Sequence, residues 1–157
     1  MKIAVVTVSD SCFKGKRKDE SGQLVKEMVA SLGEVVEYRI VPDEKSILRS
    51  TLLELVNGGK VDLVLTSGGT GISPRDITPD VTEEILDKKI PGLAEIMRIR
   101  TFSSSPTSIL SRAVAGIRGN TLIINLPGSP RGVKECFSVI LPVLSHAFDM
   151  LRGLPHG

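Results

Sequence analysis

The chain has 157 residues, of which 41% are hydrophobic and 24% are charged, and its formal net charge is +2. This balance is typical of one globular domain over residues 1–157 and excludes a disordered chain. A charge so close to zero gives no indication of a nucleic-acid or membrane partner, and no apolar run approaches the roughly 20 residues of a membrane span.

The first half of the chain alternates apolar runs with helical patterns. The N-terminal run predicts a buried strand over Ile3–Val8, because it is too short for a signal peptide. Next come a helix over Glu20–Leu32, a strand over Val35–Val41, a helix over Glu44–Asn57 and a strand over Val61–Thr66. The strands are rich in Val, Ile and Leu without regular polar alternation, as in strands buried on both faces. This order predicts right-handed βαβ crossovers.

The second half continues with helices and one hairpin. Thr78 and Ser129 are each expected to cap a helix that begins with proline. The predicted elements are helices over Pro79–Asp87 and Leu93–Arg100, a surface loop over Thr101–Leu110, an antiparallel hairpin of Ala113–Ile117 with Thr121–Asn125, a strand over Thr121–Leu126, and a last helix from Pro130 to about Arg152. Pro142 should kink or split that last helix. Together these elements predict a three-layer α/β sandwich, with a mostly parallel sheet, one antiparallel hairpin and helices on both faces.

The cysteines and histidines give no catalytic pattern. Cys12 and Cys136 lie far apart and show no CxxC spacing, so we expect neither a disulfide framework nor a zinc site. Free cysteines fit a reducing cytoplasm. His146 lies in the last helix and His156 in the tail, which leaves little support for a nucleophilic triad.

A glycine-rich loop, Gly68-Gly69-Thr70-Gly71, comes directly after an apolar strand. Glycines allow a sharp turn, expose backbone N–H groups and admit a bulky anion. The helix near Pro79 adds unpaired amides and a positive dipole end. The loop fits neither the Walker A nor the dinucleotide fingerprint, so it predicts a more general phosphate cradle. A tight turn without a ligand is the alternative.

A second loop, Pro127-Gly128-Ser129-Pro130, also joins a strand to a helix. In open α/β sheets, ligand sites form outside the carboxyl ends of the strands, where such loops meet. We therefore expect this loop and the glycine-rich loop to face one cleft. A simple turn with a serine cap is the alternative here.

Two aspartates follow strands at the same predicted end of the sheet. Asp43 comes after Pro42, and Asp76 lies five residues past Gly71. Two carboxylates beside bound phosphates suit Mg²⁺, which takes oxygen ligands. Alternatively, Asp43 caps the next helix and Asp76 caps a turn.

Other charged residues near these loops have weaker patterns. Asp80 fits a capping box with Glu83, which would make it structural. Arg75 can neutralise phosphate charge or simply be solvated. The basic segment Lys14–Lys18 follows the first strand, so it either overhangs the cleft or forms a solvated loop.

Several of these motifs resemble one family. The motifs are Thr7–Asp10, Asp19–Gly22, Val41–Glu44, Leu65–Asp80 and Leu126–Arg131. In this order, over nearly the whole chain, they are similar to the MogA/MoaB group of molybdenum-cofactor biosynthesis proteins. The long motif TSGGTGISPRDITPD is specific, whereas the short pieces alone are weak.

The resemblance implies a molybdopterin-binding fold, usually trimeric, and molybdopterin adenylyltransferase activity. In that reaction Mg²⁺-ATP donates AMP to the terminal phosphate of molybdopterin and releases pyrophosphate. The resemblance also implies catalytic and Mg²⁺-binding roles for Asp43 and Asp76. Substrate contacts are expected from Ser67, Gly68, Gly69, Thr70, Gly71, Arg75, Asp80, Pro127, Gly128, Ser129 and Pro130. A cytoplasmic homotrimer, with a downstream molybdenum-insertion protein as its partner, completes this expectation.

Two other functions stay open on the sequence. The first is a non-catalytic pterin-binding or scaffold protein of the MoaB type with the same loops. The second is a different phosphate-ester enzyme on the same fold, such as the pyrophosphatase-like domain of larger competence-damage-type proteins. Both aspartates are present, which favours the transferase.

Overall fold

The computed structural model describes residues 1–155, so His156 lies outside the described residues. Within them a six-stranded sheet has the order β2-β1-β3-β6-β5-β4. The strands are β1 (Lys2–Val8), β2 (Glu34–Val41), β3 (Leu63–Ser67), β4 (Lys88–Lys89), β5 (Ala115–Arg118) and β6 (Thr121–Leu126). The first four strands in this order pair in parallel, and β5 pairs antiparallel with both β6 and β4.

Helices connect these strands. They are α1 (Asp10–Phe13), α2 (Glu20–Met28), α3 (Lys45–Asn57), α4 (Thr78–Ile85), α5 (Pro91–Thr101) and α6 (Pro130–Leu151). Single 3₁₀ turns cover Val29–Ser31 and Pro106–Leu110. No helix of residues 1–155 has the length and apolar content needed to cross a bilayer.

The sheet is buried on both faces, which makes two separate cores. Ile3 and Val5 of β1 face the core formed with α2, α5 and α6, where Phe137 is fully buried. Ala4 and Val6 face the opposite core, formed with α3 and α4. Alternate side chains of one strand therefore pack on opposite layers. The predicted three-layer α/β sandwich is confirmed, as is its antiparallel hairpin.

The prediction that Thr78 caps a helix was wrong, and of the two outcomes expected at Pro142, a split of the last helix does not occur. The N-cap of α4 is Ile77, and Thr78 is the first helical residue. The hydroxyl of Thr78 instead donates to the carbonyl of Gly68 at 2.9 Å, which ties the helix to the glycine-rich loop. Helix α6 runs through Pro142 without being split, because Ile140 and Leu144 on either side are both buried in the same core. Ser129 caps α6 as predicted, accepting from Gly132 N.

Two short elements and one turn escaped prediction. Helix α1 and strand β4 have four and two residues, too few for a periodic pattern. The expected surface loop over Thr101–Leu110 contains the 3₁₀ turn Pro106–Leu110 and has many exposed side chains. Cys12 and Cys136 are both free, as expected.

We predict that Phe137→Ala lowers the free energy of unfolding by about 3–5 kcal/mol, because it leaves a cavity in the α6 core. Urea denaturation would measure this. The matched control is Phe13→Ala, since Phe13 is 55% exposed and its loss should change stability by no more than about 0.5 kcal/mol. Equal losses in the two variants would contradict the assignment of the core.

Candidate active site

The loops that follow β1, β3 and β6 meet at one end of the sheet. The Gly68 N–H donates to the Leu126 carbonyl at 3.1 Å, and the Ser67 hydroxyl donates to the Pro127 carbonyl at 2.9 Å. These bonds join the glycine-rich loop to the Pro127–Pro130 loop. The expectation that the two loops face one cleft is thus confirmed.

Gly68 has a φ of +101°, and a Cβ there would overlap the carbonyl oxygen of Val8. A Cβ on Gly128 would lie 3.2 Å from the Gly68 Cα. Three backbone segments therefore touch at a point with no room for side chains. Glycine is required at position 68 by both conformation and space.

Gly69, with a φ of +67°, lies between Asp43 and the start of α4. A Cβ on Gly69 would overlap the Thr78 hydroxyl and lie 3.3 Å from Asp43 Oδ1. The Thr78 N–H donates to the Gly69 carbonyl at 3.1 Å. The glycine-rich loop is therefore fastened to α4, and its Gly69 lies close to the Asp43 carboxylate.

Asp43 does not cap the next helix, whose N-cap is Glu44. Its Oδ2 accepts from the Asp10 N–H at 2.9 Å, and the Asp43 N–H donates to Asp10 Oδ1 at 3.0 Å. Arg75 binds the same Asp10 carboxylate through Nε at 2.8 Å and Nη2 at 3.1 Å. Asp10 was not among the predicted site residues, although Ser9-Asp10 directly follows the first strand.

Negative charge is crowded at Asp43. Burial raises the pKa of Asp43 above its usual value, and the charges of Asp10 and Asp76 add to the rise. The pKa of Asp10 is lowered, first by the Asp43 N–H and then by Arg75. The negative charge of Asp10 is thus balanced by Arg75, whereas the ionised form of Asp43 would be stabilised by a nearby cation.

Asp76 Oδ2 accepts from the Ser73 N–H at 3.0 Å, so the turn-capping interpretation describes its geometry correctly. The same side chain also lines a cavity together with Asp43. Among residues 1–155, no group of three or more acidic, His or Cys side chains forms a complete metal site. Asp43 and Asp76 therefore offer a partial set of oxygen ligands, which substrate oxygens and water could complete.

The polar cavity, as we call it, has a volume of about 520 Å³ and lies against both loops. It is lined by Thr7, Val8, Ser9, Cys12, Arg17, Lys18, Asp19, Glu20, Ser21, Asp43, Ser67, Gly68, Gly69, Asp76, Gly128, Ser129 and Pro130. The basic segment Lys14–Lys18 thus reaches the cavity through Arg17 and Lys18. Cations at the rim draw in anionic ligands.

A second, more apolar cavity of about 360 Å³ lies on the other side of the glycine-rich loop. Thr70, Gly71 and Pro127 line it, together with Met97 and other residues of α5 and α6. We call this second cavity the apolar cavity. Ser129 lines both cavities. The two loops therefore form the wall that separates a polar pocket from an apolar one.

Arg75 and Asp80 line neither of these two cavities. Asp80 forms a bidentate ion pair with Arg112, at 3.0 and 3.1 Å. The capping box with Glu83 is therefore wrong, and Glu83 pairs with Lys89 instead. No local sequence pattern indicated a role for Arg112, because its partner Asp80 lies 32 residues away.

The chain is similar to proteins of one known family over most of its length. Residues 4–146 match the family model described as "Probable molybdopterin binding domain". The chain belongs to this family. The resemblance seen in its motifs is confirmed.

Individual relatives match over most of the chain. "Molybdopterin adenylyltransferase" of Helicobacter pylori (strain ATCC 700392 / 26695) is 40% identical over 154 residues, 96% of this chain and 88% of the relative. The protein of that name from Escherichia coli (strain K12) is 41% identical over 138 residues, 86% of this chain and 71% of the relative. The crystal structure of the molybdopterin biosynthesis enzyme MoaB from Thermus thermophilus has a TM-score of 0.91 at 46% identity, covering 98% of both chains.

We predict that Gly69→Ala destabilises the fold more than Gly59→Ala. Both glycines have similar positive φ values, +67° and +63°, so each substitution carries the same strain of about 1–2 kcal/mol. Only at Gly69 does the new Cβ also meet the Thr78 hydroxyl and Asp43. Thermal and urea unfolding of both variants measures the difference. Equal destabilisation would contradict the close contact of the loop with α4.

We predict that Asp43→Asn stabilises the fold near neutral pH. Because the pKa of Asp43 is raised, its folded state holds the proton more tightly than the unfolded chain. Its contribution to stability therefore falls as pH rises from the usual 3.8 through the raised folded value. An asparagine oxygen can still accept from Asp10 N–H.

The measurement is the free energy of unfolding of variant and wild type over an acid-to-neutral series. The gain should disappear at acid pH, where Asp43 is protonated in both states. Glu54→Gln is the control of opposite sign, because Arg39 lowers the pKa of Glu54, and this variant should lose stability at neutral pH. A loss of stability at neutral pH in Asp43→Asn would overturn the prediction.

Proposed function

We propose that this chain is a molybdopterin adenylyltransferase, which transfers AMP from ATP to the terminal phosphate of molybdopterin. One observation carries the proposal. Asp43 and Asp76 line one polar cavity beside the glycine-rich loop, in a chain about 40% identical over nearly its full length to a protein of that name.

The reaction needs positioning and charge neutralisation more than covalent help from the protein. An oxygen of the molybdopterin phosphate attacks the α-phosphorus of ATP and forms a new P–O bond. The bond from that phosphorus to the oxygen bridging to the β-phosphate breaks, and pyrophosphate leaves with the electron pair. The protein must therefore hold two anionic substrates in line and close together.

The two loops supply the proposed substrate contacts. The backbone amides of Gly69–Gly71 and the Ser129 hydroxyl suit phosphate oxygens, and Ser67, Gly68 and Pro127–Pro130 complete the wall. The polar cavity suits the phosphate chains, with Arg17 and Lys18 at its rim. The apolar cavity on the other side of the loop suits a planar ring.

Arg75 and Asp80 were expected to contact substrate, but they line neither cavity, so we propose indirect roles for them. Arg75 is held by Asp10, so it contributes positive charge from behind the cavity and reaches substrate only if that ion pair opens. Asp80 is held by Arg112, and its effect on substrate passes through the glycine-rich loop.

We propose Asp43 and Asp76 as the residues that would hold Mg²⁺. The donor set fits, because carboxylate oxygens are the ligands that Mg²⁺ prefers and two of them leave positions for phosphate oxygens and water. The crowded charge that raises the pKa of Asp43 also favours a cation. When bound, Mg²⁺ would neutralise the charge that develops on the transferring phosphate.

We further propose a cytoplasmic homotrimer that passes its product to a molybdenum-insertion protein. Exposed apolar side chains on α5 and the following turn, Ile99, Phe102 and Ile109, form a surface that a neighbouring subunit would cover. Two free cysteines suit a reducing compartment. An adenylylated pterin is an activated intermediate, so a later reaction that inserts the metal must consume it.

The test is to incubate the protein with molybdopterin, ATP and Mg²⁺ and to measure pyrophosphate release. We predict pterin-dependent release that falls by roughly 100-fold or more in Asp43→Asn and in Asp76→Asn, with pterin binding retained. Asp149→Asn, at an exposed position on α6, is the matched control and should release pyrophosphate at the wild-type rate.

Two outcomes would contradict the transferase. Tight pterin binding without pyrophosphate release would support the scaffold function. Failure to bind pterin would exclude both the transferase and the scaffold.

A further inference from the structure

Arg112 binds the glycine-rich loop and Asp76 from outside both cavities. Its N–H donates to the Thr70 carbonyl at 2.8 Å. Its guanidinium donates to the Gly71 carbonyl at 2.8 Å and to the Asp76 carbonyl at 2.7 Å. Nη1 and Nη2 also bind the two carboxylate oxygens of Asp80.

These contacts hold both ends of one exposed segment. Gly71 and Asp76 bracket residues 72–75, which are solvent-exposed, with Ile72 at 69%. The segment's internal bonds, Asp76 N–H to the Ser73 carbonyl and Ser73 N–H to the Asp76 carboxylate, set its local shape. The position of the segment is set by contacts outside it, which are those of Arg112 at its two ends and the ion pair of Arg75 with Asp10. A planar guanidinium offers donors in a fixed fork, so binding two carbonyls at once fixes their separation.

Asp80 in turn fixes the guanidinium. It lies in the first turn of α4 and binds Arg112 in the bidentate way that sets the plane of the fork. The Arg112 and Asp80 side chains are 37% and 41% exposed, so this ion pair adds little to the stability of the fold. The main effect of the ion pair is therefore to orient the guanidinium that binds the loop, rather than to stabilise the fold.

We propose that Arg112 is a positioning residue. It fixes the segment from Thr70 to Asp76, so that the Asp76 carboxylate is held beside Asp43 at the polar cavity, and Asp80 orients the guanidinium. This assigns Asp80 a role through Arg112 rather than a direct substrate contact. The kinetic consequence rests on the proposed function, whereas the order of the loop does not.

The test compares Arg112→Lys with Arg118→Lys. A lysine keeps the charge but cannot bridge the Gly71 and Asp76 carbonyls as a fork. Arg118 donates to the Ile85 carbonyl at 2.9 Å, at the other end of α4, and has no hydrogen bond with the glycine-rich loop. It is therefore a matched control, in which the same chemical change is made at an arginine that also contacts α4.

In Arg112→Lys we expect kcat for pyrophosphate release to fall by roughly 10- to 100-fold, because small displacements of catalytic groups have effects of this size. KM for ATP and molybdopterin should change little. Amide hydrogen exchange should become faster in residues 70–77 and stay unchanged elsewhere. Arg118→Lys should leave kcat and the exchange of this segment at wild-type values.

Asp80→Asn gives an independent check, since it removes one charge of the pair and keeps the side-chain shape. It should lower kcat less than Arg112→Lys does. The double variant should be no slower than Arg112→Lys alone, because both changes act through one contact.

Wild-type kcat and wild-type exchange in Arg112→Lys would overturn the proposal. An equal fall of kcat in Arg118→Lys would also overturn it, because the effect would then be general destabilisation. If the wild-type protein releases no pyrophosphate, the proposed function fails, and hydrogen exchange in residues 70–77 still decides whether Arg112 orders the loop.

Discussion

The site depends on the contact of three backbone segments at Gly68. Only a residue without a side chain fits between the Val8 carbonyl and the Gly128 backbone, so the ends of β1, β3 and β6 come together there. This contact turns the glycine-rich loop toward Asp43 and brings the Pro127–Pro130 loop to its other side. The two cavities and the wall between them follow from it.

The carboxylates around this contact divide into two groups by their partners. Asp10 is paired with Arg75, and Asp80 is paired with Arg112. In residues 1–155, neither Asp43 nor Asp76 has an arginine or lysine in ion-pair contact. The two paired carboxylates hold loops in place, whereas Asp43 and Asp76 line the polar cavity. Burial raises the pKa of Asp43, so its ionised form costs some stability, and a nearby cation would recover it.

The fold was largely predictable from the sequence because its signals are local. Runs of Val, Ile and Leu indicated buried parallel strands, and glycines or prolines marked where they ended. The cap predicted at Thr78 and the split considered at Pro142 are absent because tertiary contacts outweighed local preference. The Thr78 hydroxyl bonds to the Gly68 carbonyl, and core packing carries α6 through Pro142.

The site was predictable only in part, because some of its residues have local signals and others depend on partners far away in the sequence. Asp43, Asp76 and the glycines directly follow strands, so the direction of the chain alone indicated that they share one end of the sheet. Asp10, by contrast, gains its meaning from a partner 33 residues away in sequence. The Asp80–Arg112 pair spans 32 residues, and no local pattern announces it. A capping box was therefore the natural, and wrong, interpretation of Asp80.

Adenylyl transfer is tested most directly by following the α-phosphorus of ATP. ATP radiolabelled at that position would be incubated with the protein, molybdopterin and Mg²⁺, and the pterin product separated from nucleotide. We predict that the α-label enters the pterin, while a label placed on the γ-phosphate leaves in pyrophosphate. A γ-label found in the pterin, or an α-label that stays entirely in the nucleotide, would contradict the transfer of AMP.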